Sequence, residues 1–217
     1  ETKQVNDHLV PDLVRHLMGP VAKLVFQSEG MPRTCTGFLV GKSTLLTNQH
    51  CINSDESCSS LTAMFGYEYG PDNRLLFGKQ YRCAGFVPSR SNYDLDVTEI
   101  ELKGNPGDVY GTLTVSDPGP QVSGPLLVIQ HPGGKPKQVS FIKCDVMADA
   151  VDGRGSKTDF THTCDTAGGS SGSPIFDKDG HLVGLHHYGF AEGQVEQWHE
   201  NRGVRFHEIY AWLKQVL

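Results

Sequence analysis

The segment Asp165-Thr-Ala-Gly-Gly-Ser-Ser-Gly-Ser-Pro174 places Ser171 in a turn of small residues that runs into the apolar pair Ile175-Phe176. Small residues allow a tight turn. Such a turn can aim several backbone N–H groups at one point, which suits a reaction that develops negative charge on a carbonyl oxygen. Taken alone, the segment also reads as a Gly/Ser-rich loop without chemistry. A serine hydroxyl becomes a good nucleophile only when a base removes its proton. In Leu45-Leu-Thr-Asn-Gln-His-Cys51 an apolar run is followed by His50, a side chain that titrates near neutrality. A lone histidine beside a strand is usually structural; it becomes a catalytic base when a carboxylate fixes its tautomer. Asp94-Leu-Asp-Val-Thr-Glu-Ile-Glu-Leu102 offers that carboxylate, Asp96 or its competitor Asp94, at the head of a run in which Val97, Ile100 and Leu102 are apolar.

In order and context the segments T-N-Q-H-C, D-V-T-E-I-E-L and G-S-S-G-S-P resemble the trypsin-like serine peptidases over roughly residues 20–215. The resemblance implies His50 as base, Asp96 as the group that orients it and Ser171 as nucleophile forming an acyl-enzyme. The amides of Gly169 and Ser171 are then the oxyanion hole. It also implies an all-β, double six-stranded β-barrel (trypsin-like) with a short N-terminal helix and a C-terminal helix. Residues 1–217 would form a single peptidase domain, with the first barrel at about 20–116, the second at about 126–206 and the helix at 207–217.

Within that family D-T-A-G-G-S-S-G-S-P-I-F, G-L-H-H-Y-G and N-R-G-V-R-F look like the V8-like glutamyl endopeptidases, while I-Q-H-P-G-G resembles the lysyl endopeptidases. Thr166 and His186 match the positions where glutamyl endopeptidases hold a substrate carboxylate. Asp165 matches the position where trypsins attract Lys or Arg. The expectation is therefore preference for Glu or Asp before the scissile bond, with Lys/Arg specificity through Asp165 as the alternative. Protonated His186 would add charge to its hydrogen bond, so cleavage after Glu would fall as pH rises. A pseudoprotease that keeps the barrels for binding, and an ester hydrolase, are the other readings weighed. Residue 170 is Ser and not the aspartate with which vertebrate-type trypsins capture a new N-terminus, so the Glu1 amine is not expected to switch the site on. By resemblance Cys35 and Cys51 bridge beside the histidine, and Cys58 with Cys83 and Cys144 with Cys164 are the natural remaining pairs.

The elements that must position these residues are short. Ala22–Phe26, Gly37–Val40, Thr44–Thr47, Leu126–Ile129 and His181–Leu185 are β-rich runs separated by Gly, Pro, Asn, Asp or Ser, which predicts a barrel or sandwich. Leu9, Val10, Leu13, Val14 and Leu17 have helical spacing after Asn6 or Asp7 and stop at Gly19-Pro20. Ile209, Trp212, Leu213 and Val216 read as the buried face of a terminal helix. The Pro/Gly-rich stretch Asp117–Pro125 is the expected connection between half-domains.

A net charge of -6 and no Lys/Arg cluster argue against nucleic acid as a partner. No apolar stretch reaches the roughly 20 residues of a membrane span. The N-terminus lacks a signal-peptide pattern, so, if the protein is exported, this sequence is expected to be its mature form. The 6 cysteines include no CxxC pair, which favours disulfides and a secreted, extracellular protein. His131, His162, His187, His199 and His207 show no ligand spacing such as HExxH, so no metal and no cofactor is expected. His187 is expected to pack near the acid, with adjacent His186 on the opposite face of its strand. The partners expected are protein or peptide substrates, and the chain is expected to be a monomer.

Overall fold

The computed structural model describes residues 2–115, 122–189 and 200–216. The first half is built from Val21–Ser28, Met31–Leu39, Thr44–Thr47, Thr62–Phe65, Lys79–Gly85 and Val97–Leu102, each antiparallel to its neighbours. Pairing of Val97–Leu102 with Thr44–Thr47 closes these strands into a barrel and leaves no free edge between them. Alternation does the sorting: Ala22, Leu24 and Phe26 face the core while Lys23 and Val25 are partly exposed. The barrel is filled by Leu24, Leu39, Leu45, Ile52, Phe65 and Ile100.

The second half is an 8-stranded sheet curled into a half-barrel. Its order is Thr2–Gln4, Gln138–Ser140, Leu126–Gln130, Pro174–Asp177, Leu182–Tyr188, Asn201–Arg205, Asp159–His162 and Val146–Val151. The double-barrel fold expected from the motifs is present, and its second sheet begins with an N-terminal strand that periodicity did not show, Thr2–Gln4, paired with Gln138–Ser140.

The N-terminal helix is shorter than its spacing suggests, Asp12–Leu17 with Pro11 at its N-cap. Proline disfavours helical backbone in the residue before it, so no helix runs through residue 10. The Asp7 carboxylate accepts the Leu9 N–H in a local turn, and Leu9 is exposed. The terminal helix, Phe206–Val216, turns Ile209 and Leu213 inward. A helix that the sequence reading lacked, Asp55–Ser60, is started by a reciprocal cap between Ser54 and Ser57.

Val21, Phe38, Leu46 and Val97 from the first half pack with Ile129, Phe176, Leu185 and Phe206 from the second in one core that forms the seam. Lys137 is fully buried near this seam; its Nζ donates to the Met18 carbonyl (2.7 Å) and to Glu68 (2.8 Å). The bridges are Cys35–Cys51, Cys58–Cys83 and Cys144–Cys164. Two lie within the first half and one within the second. Of the expected connection at 117–125, residues 117–121 lie outside the described residues, as do Glu1 and His199.

Candidate active site

His50 sits in the turn after Thr44–Thr47, tied by its backbone to the acid that faces its ring. The carbonyl of Asp96 accepts from Gln49 N–H (3.0 Å) and the Asn48 amide (2.9 Å), and its Oδ1 accepts the His50 N–H (2.9 Å). Asp96 Oδ2 lies 2.7 Å from His50 Nδ1. Asp96 is fully buried and has φ +44°, a left-handed conformation uncommon outside glycine. Strain of this kind persists where surrounding contacts over-determine it, and it is frequent at functional sites. Asp94, the competing carboxylate, is exposed.

The serine turn is pinned by the first barrel. Thr36 N–H donates to the Ser171 carbonyl (2.7 Å), and Thr36 Oγ1 donates to the Gly169 carbonyl (2.8 Å). Gly172, at φ +86°, lets the chain pass so close that a Cβ there would stand 2.0 Å from the Thr36 carbonyl oxygen. Gly169 is also left-handed, at φ +97°. Among the described residues no protein group accepts from the Gly169 or Ser171 amide. The Ser171 hydroxyl donates to the His187 carbonyl at 3.4 Å, and the His50 ring stacks on Tyr188 at 5.6 Å, so both meet the strand Leu182–Tyr188.

That strand also sends His187 onto the acid. Its Nδ1 is 3.3 Å from Asp96 Oδ2 and its Nε2 is 2.8 Å from Asp159 Oδ2. Arg154 reaches Asp96 Oδ1 at 3.1 Å, donates from Nε to the Tyr188 hydroxyl (2.8 Å) and lies 4.5 Å from the centroid of the Tyr93 ring. Burial alone would push the Asp96 carboxyl up, but hydrogen bonds from His187 and His50 hold it well below the usual carboxylate range. Arg154 and Asp159 were missed in the sequence. Arg154 stands between two glycines, Gly153 and Gly155, which marks a close-packed loop but does not say against what.

His186 points the other way, as alternation requires, and its Nδ1 is 3.2 Å from Nε2 of buried His162. Burial and the neighbouring His162 keep His186 well below the ordinary histidine range, and burial takes His162 down to about 3. Both rings are therefore neutral. The Thr166 hydroxyl donates to Asn201 Oδ1 (2.9 Å), and the Asn201 amide donates to the Cys164 carbonyl (2.6 Å). Asp165 is exposed and lines a groove with Ile142, Lys143, Asp145 and Met147 that does not include His186.

Among the described residues, two side-chain clusters have metal-ligand types. In the first, with His50, both sulfurs belong to the Cys35–Cys51 disulfide. In the second, Asp177 already accepts from the Asp179 and His181 N–H groups and from the His181 ring, so its oxygens are occupied by its own turn.

A family model described as "Trypsin-like peptidase domain" matches residues 35–185. A protein of Sinorhizobium fredii described as "Uncharacterized protein y4fB" is 33% identical over 186 residues, covering 75% of this chain and 27% of its own length. The glutamyl endopeptidase of Staphylococcus aureus is 24% identical over 196 residues, covering 82% of this chain and 49% of its own. This chain thus spans about a quarter to a half of these relatives. Among solved structures, a Glu endopeptidase in complex with MPD superposes with a TM-score of 0.66 at 21% identity, covering 98% of this chain and 96% of that one, a likeness of fold.

Proposed function

The chain belongs to the trypsin-like peptidase family, and from that premise we propose that it is a serine endopeptidase acting through an acyl-enzyme on Ser171. One observation carries this reading: His50 Nδ1 lies 2.7 Å from a buried, ionised Asp96 beside a serine turn with two amides that no described group uses. In the proposed reaction the Ser171 hydroxyl turns from the His187 carbonyl to His50 Nε2 and gives up its proton there. Oγ bonds to the scissile carbonyl carbon, and the Gly169 and Ser171 amides carry the charge on its oxygen. Breaking the C–N bond returns the proton from His50 to the leaving amine. A water molecule then repeats the sequence and frees Ser171.

Preference for Glu before the cut bond is part of the proposal. If His162 Nε2–H donates to His186 Nδ1, His186 has a single N–H, at Nε2, for which a substrate carboxylate would compete with the Arg202 backbone. Because His186 is neutral, the bond lacks the added charge considered from sequence, and no fall in Glu cleavage through neutral pH is expected. The exposure of Asp165 in a groove that does not include His186 weighs against the Lys/Arg alternative. The disulfides favour an oxidising, extracellular setting for the enzyme. Profiling of cleavage sites on a mixed peptide library, together with fluorophosphonate labelling, tests the whole. Ser171→Ala should abolish both labelling and cleavage; a labelled or active variant sinks the assignment, and dominant cuts after Lys or Arg sink the Glu preference.

A further inference from the structure

His187 has a buried carboxylate oxygen at each ring nitrogen, Asp96 Oδ2 at 3.3 Å and Asp159 Oδ2 at 2.8 Å. Ionised carboxylates only accept hydrogen bonds, and a neutral imidazole has one N–H. A neutral His187 would therefore press a lone pair against one of its two partners. We propose that His187 carries a proton on both nitrogens in the working enzyme, and that this imidazolium, anchored by Asp159, is the positioning residue that orients Asp96 toward His50. The inference rests on the reading of His50, Asp96 and Ser171 as the reacting groups.

Asp96 and Asp159 offset such a charge between them, in competition with two guanidiniums. Facing His187 or its two partners are His50 and Arg154 on Asp96, and Arg202 at 4.0 Å from Asp159. Tyr188 packs at 4.4 Å between ring centroids, and the neighbouring His186 and His162 are neutral. Burial would lower His187, but its hydrogen bonds to Asp159 and Asp96 raise it above the ordinary histidine range. A cation on Oδ2 has a second effect, because His50 Nδ1 uses the same oxygen. It holds that oxygen in place and draws down the negative field that Asp96 presents to His50. Gly153 protects the anchor: a Cβ there would stand 2.0 Å from Asp159 Oδ1, so only glycine leaves that carboxylate its room.

The test is imidazole NMR on wild-type protein labelled with ¹⁵N-histidine, between about pH 6 and 7.5. The His187 resonances, assigned by their loss in His187→Gln, should show protons on both nitrogens; a single N–H there overturns the proposal. Asp159→Asn should lower kcat by about tenfold or more, with KM changed less than about threefold. It should also move the acid limb of kcat/KM upward by about half a pH unit or more, as the second proton of His187 is lost. A folded Asp159→Asn enzyme with an unmoved pH profile also overturns it. The spectrum does not depend on turnover, so it separates this inference from the functional one. Peptidase activity in Ser171→Ala would remove the proposed function and leave the two protons standing.

Discussion

Asp96 is held by hydrogen bonds from the backbone and ring of His50 and from His187 and by an ion pair with Arg154, and this saturation is what a single sequence hides. Asp96→Asn should cut kcat by about four orders of magnitude in steady-state peptide hydrolysis, because an amide can donate to His50 Nδ1 and so favour the wrong tautomer. Combining His50→Ala with Ser171→Ala should be scarcely worse than either alone, since the groups act as a unit. At the substrate end, His186→Leu should reduce kcat/KM for a Glu peptide by about a hundredfold and for an Ala peptide by less than about threefold. Equal losses would remove His186 from the pocket. Types and local order made His50, Asp96, Ser171 and His186 legible as candidates. His162, Asp159 and Arg154 were not legible as site residues, because their roles come from strands and loops that meet only in the folded sheet and carry no spacing signal of their own.

Short strands were readable where one face is buried: Thr44–Thr47 falls where its apolar pattern ends, and Val21–Ser28 extends a shorter run of alternation. The two-residue and three-residue strands at the edges were not, since so few residues show no period. The serine turn is the element on which the site depends most. Gly172→Ala would combine a Cβ 2.0 Å from the Thr36 carbonyl oxygen with a φ of +86° that L-residues rarely adopt. Thermal unfolding should show a loss of about 2 kcal/mol or more, and activity should fall with it because the same contact pins Ser171. Wild-type stability for Gly172→Ala would mean that the turn is held from elsewhere. Replacing Cys58 and Cys83 together by Ser should cost about 3 kcal/mol by the loop-closure argument while leaving kcat nearly unchanged, since that bridge is separate from the Cys35–Cys51 bridge beside His50.

Buried histidines set how the whole molecule responds to pH. Burial takes His131 and His162 from 6.5 down to about 3. Their neutral forms are part of the fold, so the stability they contribute is present above 6.5 and is lost as pH falls toward 3. His187 has the opposite sign: its pKa is raised, so its contribution is full below 6.5 and is lost as pH rises through the raised value. Melting temperature should therefore peak near neutrality and fall on both sides, and Asp159→Asn should flatten the alkaline side alone. A different consequence follows from the placement of the three bridges, none of which joins one barrel to the other. His50 and Asp96 belong to one half, Ser171, His187 and Arg154 to the other, and the seam between them is held without a covalent link, by apolar packing, the Thr36 hydrogen bonds and the Lys137–Glu68 pair. In mild denaturant the halves can part while each keeps its own covalent loops, so turnover is extinguished before circular dichroism changes. Dilution then restores it at a rate independent of protein concentration, and the gap between the two midpoints measures how firmly the barrels are docked.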